Sequence, residues 1–306
     1  MNRFQAVASL GIAATLAACG QIQPPKGATP VHFTVLTKQG ALERGIFAAT
    51  SLDDLRSQET LIGREPIKTC TTAGQYGCFA KFSVPPGSLL VAMQPMACAD
   101  NSLDTVYLKD GALTFVINWK NSCPPGYGAA AVPADFVVAV PLSAVPKTTL
   151  PLELEFSEGG HAAEVIARGV VDLRASAPGH ARSGNFTLDA APRVVRGQVE
   201  HIAFTIFGLR AVRRYGWRVD ITAVDSGGRV AWHQTPFDDP TTFTCLVGES
   251  QTCAVGSYNV DMPTAGVPAG AYVIRPSFVV PPGLVQAPNP PLPAYSLPSL
   301  PIEVTP

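Results

Sequence analysis

Short runs of strand-forming residues, most of them closed off by a proline or glycine cluster, leave this chain little room for long helices beyond residue 30. Val31-His32-Phe33-Thr34-Val35-Leu36 is the first such run. Phe79–Val84, Ser88–Met93, Asp104–Leu108, Leu113–Trp119 and Asp135–Val140 follow. Leu152–Phe156, Glu164–Leu173, His201–Phe207, Trp217–Ala223 and Ala271–Phe278 complete the set. The 29 prolines among 306 residues supply the punctuation, at nearly twice the usual share of about 5%. An all-β fold follows from this pattern. The helical exception is expected at Ser51-Leu52-Asp53-Asp54-Leu55-Arg56, where Ser51 can cap the first turn and Asp53 and Asp54 suit its positive end.

The N-terminus has a different grammar. Asn2 and Arg3 precede an uncharged, mostly apolar run from Phe4 to Leu16, followed by Leu16-Ala17-Ala18-Cys19-Gly20. The run is shorter than the roughly 20 apolar residues a bilayer span needs. It has the proportions of a secretory signal peptide. Leu16-Ala17-Ala18-Cys19 resembles the bacterial lipobox, and the resemblance covers residues 1–20. It implies a signal peptide over 1–18, a diacylglycerol thioether on Cys19 and acylation of the new amino terminus. Several acyl chains hold a protein stably to a membrane where one does not. Gly20 follows the cysteine in place of the Asp that resembles an inner-membrane retention signal. In a cell with two membranes the expected location is therefore the outer one. Residues 19–30 carry the lipid site and then the polar, Pro-rich stretch Gly20–Pro30, which is expected to act as a flexible tether.

An exported chain meets oxidising conditions. Apart from Cys19 there are six cysteines, Cys70, Cys78, Cys98, Cys123, Cys245 and Cys253. An even set suggests disulfides, and proximity along the chain favours Cys70–Cys78, Cys98–Cys123 and Cys245–Cys253 among the many connectivities. CxxC, HxH and HExxH are absent, so the common metal spacings fail and neither a metal nor a cofactor is expected. Loss of Arg3 with the leader leaves 21 basic against 23 acidic residues, a balance that gives no reason to expect nucleic acid as a partner.

Two stretches share an order of features. Thr69-Cys70, Cys78 and Val84-Pro85-Pro86-Gly87-Ser88-Leu89-Leu90-Val91 line up with Thr244-Cys245, Cys253 and Val267-Pro268-Ala269-Gly270-Ala271-Tyr272-Val273-Ile274. The match predicts two related β-domains, 31–178 and 184–306. Residues 135–178 either extend the first domain or stand as a separate unit. A hinge is expected at Ala177–Gly184. Phe186–Asp189, Val194–Gln198, Ala203–Ile206, Val219–Thr222, the Pro268-Ala269-Gly270-Ala271-Tyr272 turn and Pro301–Val304 resemble bacterial immunoglobulin-like domains over about 186–306. The resemblance implies an immunoglobulin-like β-sandwich and carries no activity, since a fold does not fix a function. The long Pro-rich stretch Val280–Pro298 departs from that pattern.

Catalytic signatures are sparse. GxSxG and SxxK are absent. Glu153 and Glu155 alternate with Leu152, Leu154 and Phe156, which puts both carboxylates on one strand face. Two facing carboxylates could serve glycoside hydrolysis, but a solvated strand face explains them as well. Asp238-Asp239-Pro240 reads as a turn. Arg213, Arg214, Tyr215 and Trp217 form the densest basic and aromatic cluster, a candidate for binding a glycan or an anionic polymer, although the favoured reading is structural, with Trp217 starting a core strand and Arg213 and Arg214 in the loop before it. The expectation is a non-enzymatic binding or structural protein of the cell envelope, whose partners are the membrane and another envelope protein or a surface glycan. The alternative is a carbohydrate-binding or carbohydrate-active hydrolytic protein.

Overall fold

The computed structural model describes residues 22–37, 45–55, 82–94, 102–119, 136–158, 163–207, 218–234, 242–245, 253–279 and 296–306. The described residues are all-β, apart from one helical turn and two 3-10 turns.

The first nine strands are β1 (Thr29–Pro30), β2 (Thr34–Thr37), β3 (Gly45–Ala49), β4 (Ser88–Gln94), β5 (Ser102–Lys109), β6 (Ala112–Trp119), β7 (Phe136–Pro141), β8 (Thr149–Glu158) and β9 (Glu164–Asp172). They form one sheet of order β1-β5-β6-β8-β9 and another of order β2-β7-β4-β3. Strand alternation places the core between the two sheets. Leu150, Leu152 and Leu154 of β8 are fully buried and meet Leu89, Val91 and Met93 of β4 in one cluster. Burying each such side chain is worth about 1.5–3 kcal/mol. The other face of β4 and β7 is apolar too. Leu90, Ala92, Val137 and Ala139 pack with Ala49 and Leu55 in a smaller cluster. Two buried faces explain why Leu89–Met93 and Phe136–Val140 read as continuous apolar runs rather than alternating ones. Leu55 belongs to the expected helical turn, and Ser51 Oγ accepts the Asp54 N–H at 3.0 Å as the cap. The hairpin from β5 to β6 turns on Asp110 and Gly111, both with positive φ (50° and 82°), as a tight two-residue connection requires.

The remaining strands are β10 (His180–Ser183), β11 (Phe186–Asp189), β12 (Arg193–Val195), β13 (Val199–Phe207), β14 (Arg218–Asp225), β15 (Val230–His233), β16 (Thr242–Cys245), β17 (Cys253–Pro263), β18 (Gly270–Val279) and β19 (Leu300–Thr305). Their sheets have the orders β10-β11-β13-β17-β16 and β12-β19-β18-β14-β15, with β12 parallel to β19. An aromatic group fills the space between them. The rings of Phe186 and Phe204 stack at 6.0 Å, and Phe278 meets both edge-on at 6.0 and 6.3 Å. The core of the first two sheets draws on residues 31–173 and that of the second two on residues 181–304, with no residue in common.

Several boundaries differ from expectation. Thr29 and Pro30 pair with β5, and the Val31 N–H bonds to the Val106 carbonyl at 2.8 Å, so the paired chain begins inside the expected tether. Residues 136–172 are no separate unit, because β7 lies between β2 and β4 and β8 pairs with β6. The expected hinge is an ordered connection. Ala177 and His180 exchange both backbone hydrogen bonds, and β10 pairs along β11, so the second pair of sheets starts at His180 and not at 184. Residues 82–84 are not in a strand; Phe82 and Val84 pack instead on the smaller cluster.

The internal match also takes a different register. Val84–Gly87 leads into β4, which pairs with β3 and β7, whereas Val267–Gly270 leads into β18, which pairs with β14 and β19. The counterpart of Val267-Pro268 is Val145-Pro146. In both places a strand ends in proline (Pro141, Pro263), a 3-10 turn follows (Leu142–Ala144, Thr264–Gly266), and then comes a buried valine and a proline. The next strand in each case crosses to the opposite sheet. Shared turn chemistry at Pro85-Pro86-Gly87 hid this equivalence in the sequence.

Candidate functional site

The densest group of linked ionisable side chains among the described residues, with Asp172 and His180 buried, lies where the two pairs of sheets meet. Asp172 closes β9, Arg174 follows it in the connecting segment, His180 opens β10 and Asp189 ends β11. The register of the hairpin sets His180 directly opposite Asp189, which puts both side chains on one face. His180 Nδ1 lies 2.7 Å from Asp189 Oδ1. Asp172 has 1% of its side chain exposed. Its Oδ1 accepts the Arg174 N–H at 2.8 Å, and its Oδ2 accepts Arg174 Nη2 at 2.7 Å and Nε at 3.0 Å. Arg174 Nη2 also reaches Asp189 Oδ2 at 3.6 Å, and His180 Nε2 stands 3.9 Å from Asp172 Oδ2. The four groups close a ring in which each lies within 4 Å of the next.

Burial alone would raise the Asp172 carboxyl. The hydrogen bonds from Arg174, with the charges of Arg174 and His180, outweigh it and hold the carboxyl below its ordinary range. The same contacts raise Arg174.

Arg182 lies on the same face, two positions along β10. Its Nε donates to the Gly184 carbonyl and its Nη2 to Thr50 Oγ1, both at 3.2 Å. Thr50 precedes the helical turn of the first pair of sheets, so Arg182 spans the junction. Burial lowers its guanidinium, while the charges of Asp172 and Asp54 pull the other way. Gly184 has φ +55°, and a Cβ there would collide with the Asp54 carboxylate. Thr187 and Asn185, on the same hairpin, bury Oγ1 and Oδ1 without a partner among the described residues.

Several polar groups elsewhere among the described residues are committed to local pairs. Glu153 accepts Arg168 Nε at 2.9 Å and Glu155 accepts the Tyr107 hydroxyl at 2.9 Å. The two carboxylates do share a strand face, but each is engaged with a neighbour. Burial, then the hydrogen bond to Glu155, pushes the Tyr107 phenol well above its ordinary range. His201 pairs with Asp261 at 2.6 Å and His233 with Asp220 at 2.8 Å. Among the described residues no group of three His, Cys, Asp or Glu side chains could hold a metal ion. No helix among them is long and apolar enough to cross a membrane.

Of the residues singled out in the sequence, Cys19, Cys70, Cys78, Cys98, Cys123, Arg213, Arg214, Tyr215, Trp217 and Asp238–Asp239 lie outside the described residues. Cys245 and Cys253 are placed by their backbone. They face each other across β16 and β17, and an irregularity between Thr244 and Cys245 produces that pairing. The junction cluster went unrecognised in the sequence because Asp172, Arg174 and His180 stand in what reads as a strand end and a Pro-Gly linker. The one usable signal was the charge concentrated around that linker.

No family model, no curated protein and no solved structure matches the chain.

Proposed function

We propose that this chain is a lipid-anchored protein of the cell envelope that acts without catalysis, as a binding or structural module. The Cys19 lipobox resemblance and the signal-like leader support the anchor. The junction carries the rest of the reading: Asp172, Arg174, His180 and Asp189 are engaged with one another between two cores. A general acid or base needs reach to a substrate, and these groups are spent on holding two bodies together. A pair of sandwiches on a tether suits presentation of a surface to another envelope component, a protein or a glycan.

The module is read as immunoglobulin-like over 180–306. Support comes from the strand order, in which β11-β13-β17-β16 stands for strands A, B, E and D, and β19-β18-β14-β15 for G, F, C and C′. The Tyr272 hydroxyl donates to the Pro268 carbonyl at 2.7 Å, the bond of a tyrosine corner at the turn from E to F. The facing pair Cys245 and Cys253 supports a disulfide there, because directly opposed strand positions fall within the Cα separation a bridge accepts.

Photo-crosslinking in whole cells, from positions on the exposed strand faces, tests the function. A discrete envelope protein or glycan adduct is expected, lost when Cys19→Ser releases the chain from the membrane. Turnover of a glycan panel by the purified protein would replace this reading with the hydrolytic one.

A further inference from the structure

One imidazole connects the two pairs of sheets. His180 Nδ1 is held by Asp189 of its own hairpin at 2.7 Å, while Nε2 faces Asp172, from the end of β9, at 3.9 Å. His180 is buried, and its Nε2 has no hydrogen-bond partner among the described residues. A neutral ring has one N–H. With that proton on Nδ1 for Asp189, Nε2 turns a lone pair toward a carboxylate. A protonated ring carries a second N–H at Nε2, the nitrogen that stands 3.9 Å from Asp172 Oδ2.

Other charges bear on the ring. Asp172 comes from β9 and Asp189 from β11, and these two carboxylates are its ion-pair partners. Arg174, from the connecting segment, touches both of them. Arg182 of β10 lies on the same face and is opposed by Asp54 of the helical turn. On the same sheet, β13 and β17 contribute His201 and Asp261, which are exposed and paired with each other. The opposed carboxylates come from different halves of the molecule, so protonation of this ring acts on the contact between the halves.

We propose that His180 is a pH-sensitive clasp between the two pairs of sheets, which closes the junction when protonated and releases Asp172 when neutral. In the protonated ring both nitrogens carry an N–H: Nδ1 donates to Asp189 at 2.7 Å, and Nε2 faces Asp172 at 3.9 Å as an ion pair. Loss of the proton leaves Arg174 as the link between Asp172 and Asp189, and the hairpin is freer to part from β9. An imidazole is the side chain suited to this between about pH 5 and 8.

The test uses the full-length protein in detergent. Amide hydrogen exchange of residues 180–189, corrected for the intrinsic rate at each pH, is followed from about pH 5.5 to about pH 8 alongside the His180 ring signals in NMR spectra. Protection of the hairpin is expected to fall about tenfold with the same midpoint as the ring, the scale of a lost, partly buried ion pair. Protection of β4 and β18 is expected to stay level. His180→Gln should abolish the pH response, and Asp172→Asn should abolish it while leaving the Asp189 contact. Level hairpin protection, a midpoint different from that of the ring, or an unchanged response in His180→Gln would overturn the proposal. If the variants fail to fold, the comparison of the two midpoints in the unmodified protein decides.

Discussion

Asp172 and Arg174, two residues apart, form a two-pronged ion pair at 2.7 and 3.0 Å in which the carboxylate is almost wholly buried and the guanidinium half-exposed. This asymmetry sets the cost of breaking it. Asp172→Asn should destabilise the protein by about 2–3 kcal/mol, below the ~3–5 kcal/mol of a fully buried pair because water screens Arg174. Urea unfolding at neutral pH measures it. The folded-state carboxyl lies below its ordinary value, so the stability it contributes is present above the unfolded carboxyl's pKa and is lost as pH falls through the folded one. The variant and the parent should therefore converge in acid.

Glu200 has the opposite sign. Burial raises its carboxyl, against the Ala191 N–H it accepts at 2.6 Å and the nearby His201 charge. Its folded form favours the proton, so its contribution to stability is present at low pH and is lost as pH rises through the raised value. Glu200→Gln keeps an oxygen for the Ala191 N–H and removes the buried charge. Its melting temperature at neutral pH should rise by about 2 °C, and the gain should vanish near pH 4. A lower melting temperature at neutral pH would contradict this.

A bridge between Cys245 and Cys253 closes a short loop, and chain entropy gives it about 2–3 kcal/mol. Peptide mapping without reduction should recover the two cysteines in one linked species, and Cys245→Ser should lose stability by that amount. Free thiols at both positions would remove the assignment.

Gly184 and Asp54 are coupled across the junction. Gly184→Ala sets a Cβ against the Asp54 carboxylate in a left-handed backbone and should cost about 1–3 kcal/mol. Asp54→Ala should relieve part of that cost in the double variant, apart from its own loss at the Ser51 cap. A double-mutant cycle showing simple additivity would mean the two do not touch.

How far the sequence reached can be judged strand by strand. Leu113–Trp119 and Glu164–Leu173 were legible because β-branched and apolar residues cluster there. The eleven-residue β17 was missed, although Tyr258, Val260 and Met262 are buried in alternation. The residues alternating with them, Ser257, Asn259 and Asp261, are polar and break up the apolar run. The Ser51 cap was readable because donor and acceptor lie three residues apart.

Local chemistry in the sequence determined the all-β class, the positions of most strands and the capped turn at Ser51. Those features depend on neighbours a few residues away, and alternation or capping records such neighbours directly. The tertiary structure decided that a Pro-Gly linker is an ordered junction, that Val145-Pro146 is the counterpart of Val267-Pro268, and that Asp172, Arg174, His180 and Asp189 form one ring. Each of these depends on sheet register and on which faces pack together, which single-chain spacing does not encode.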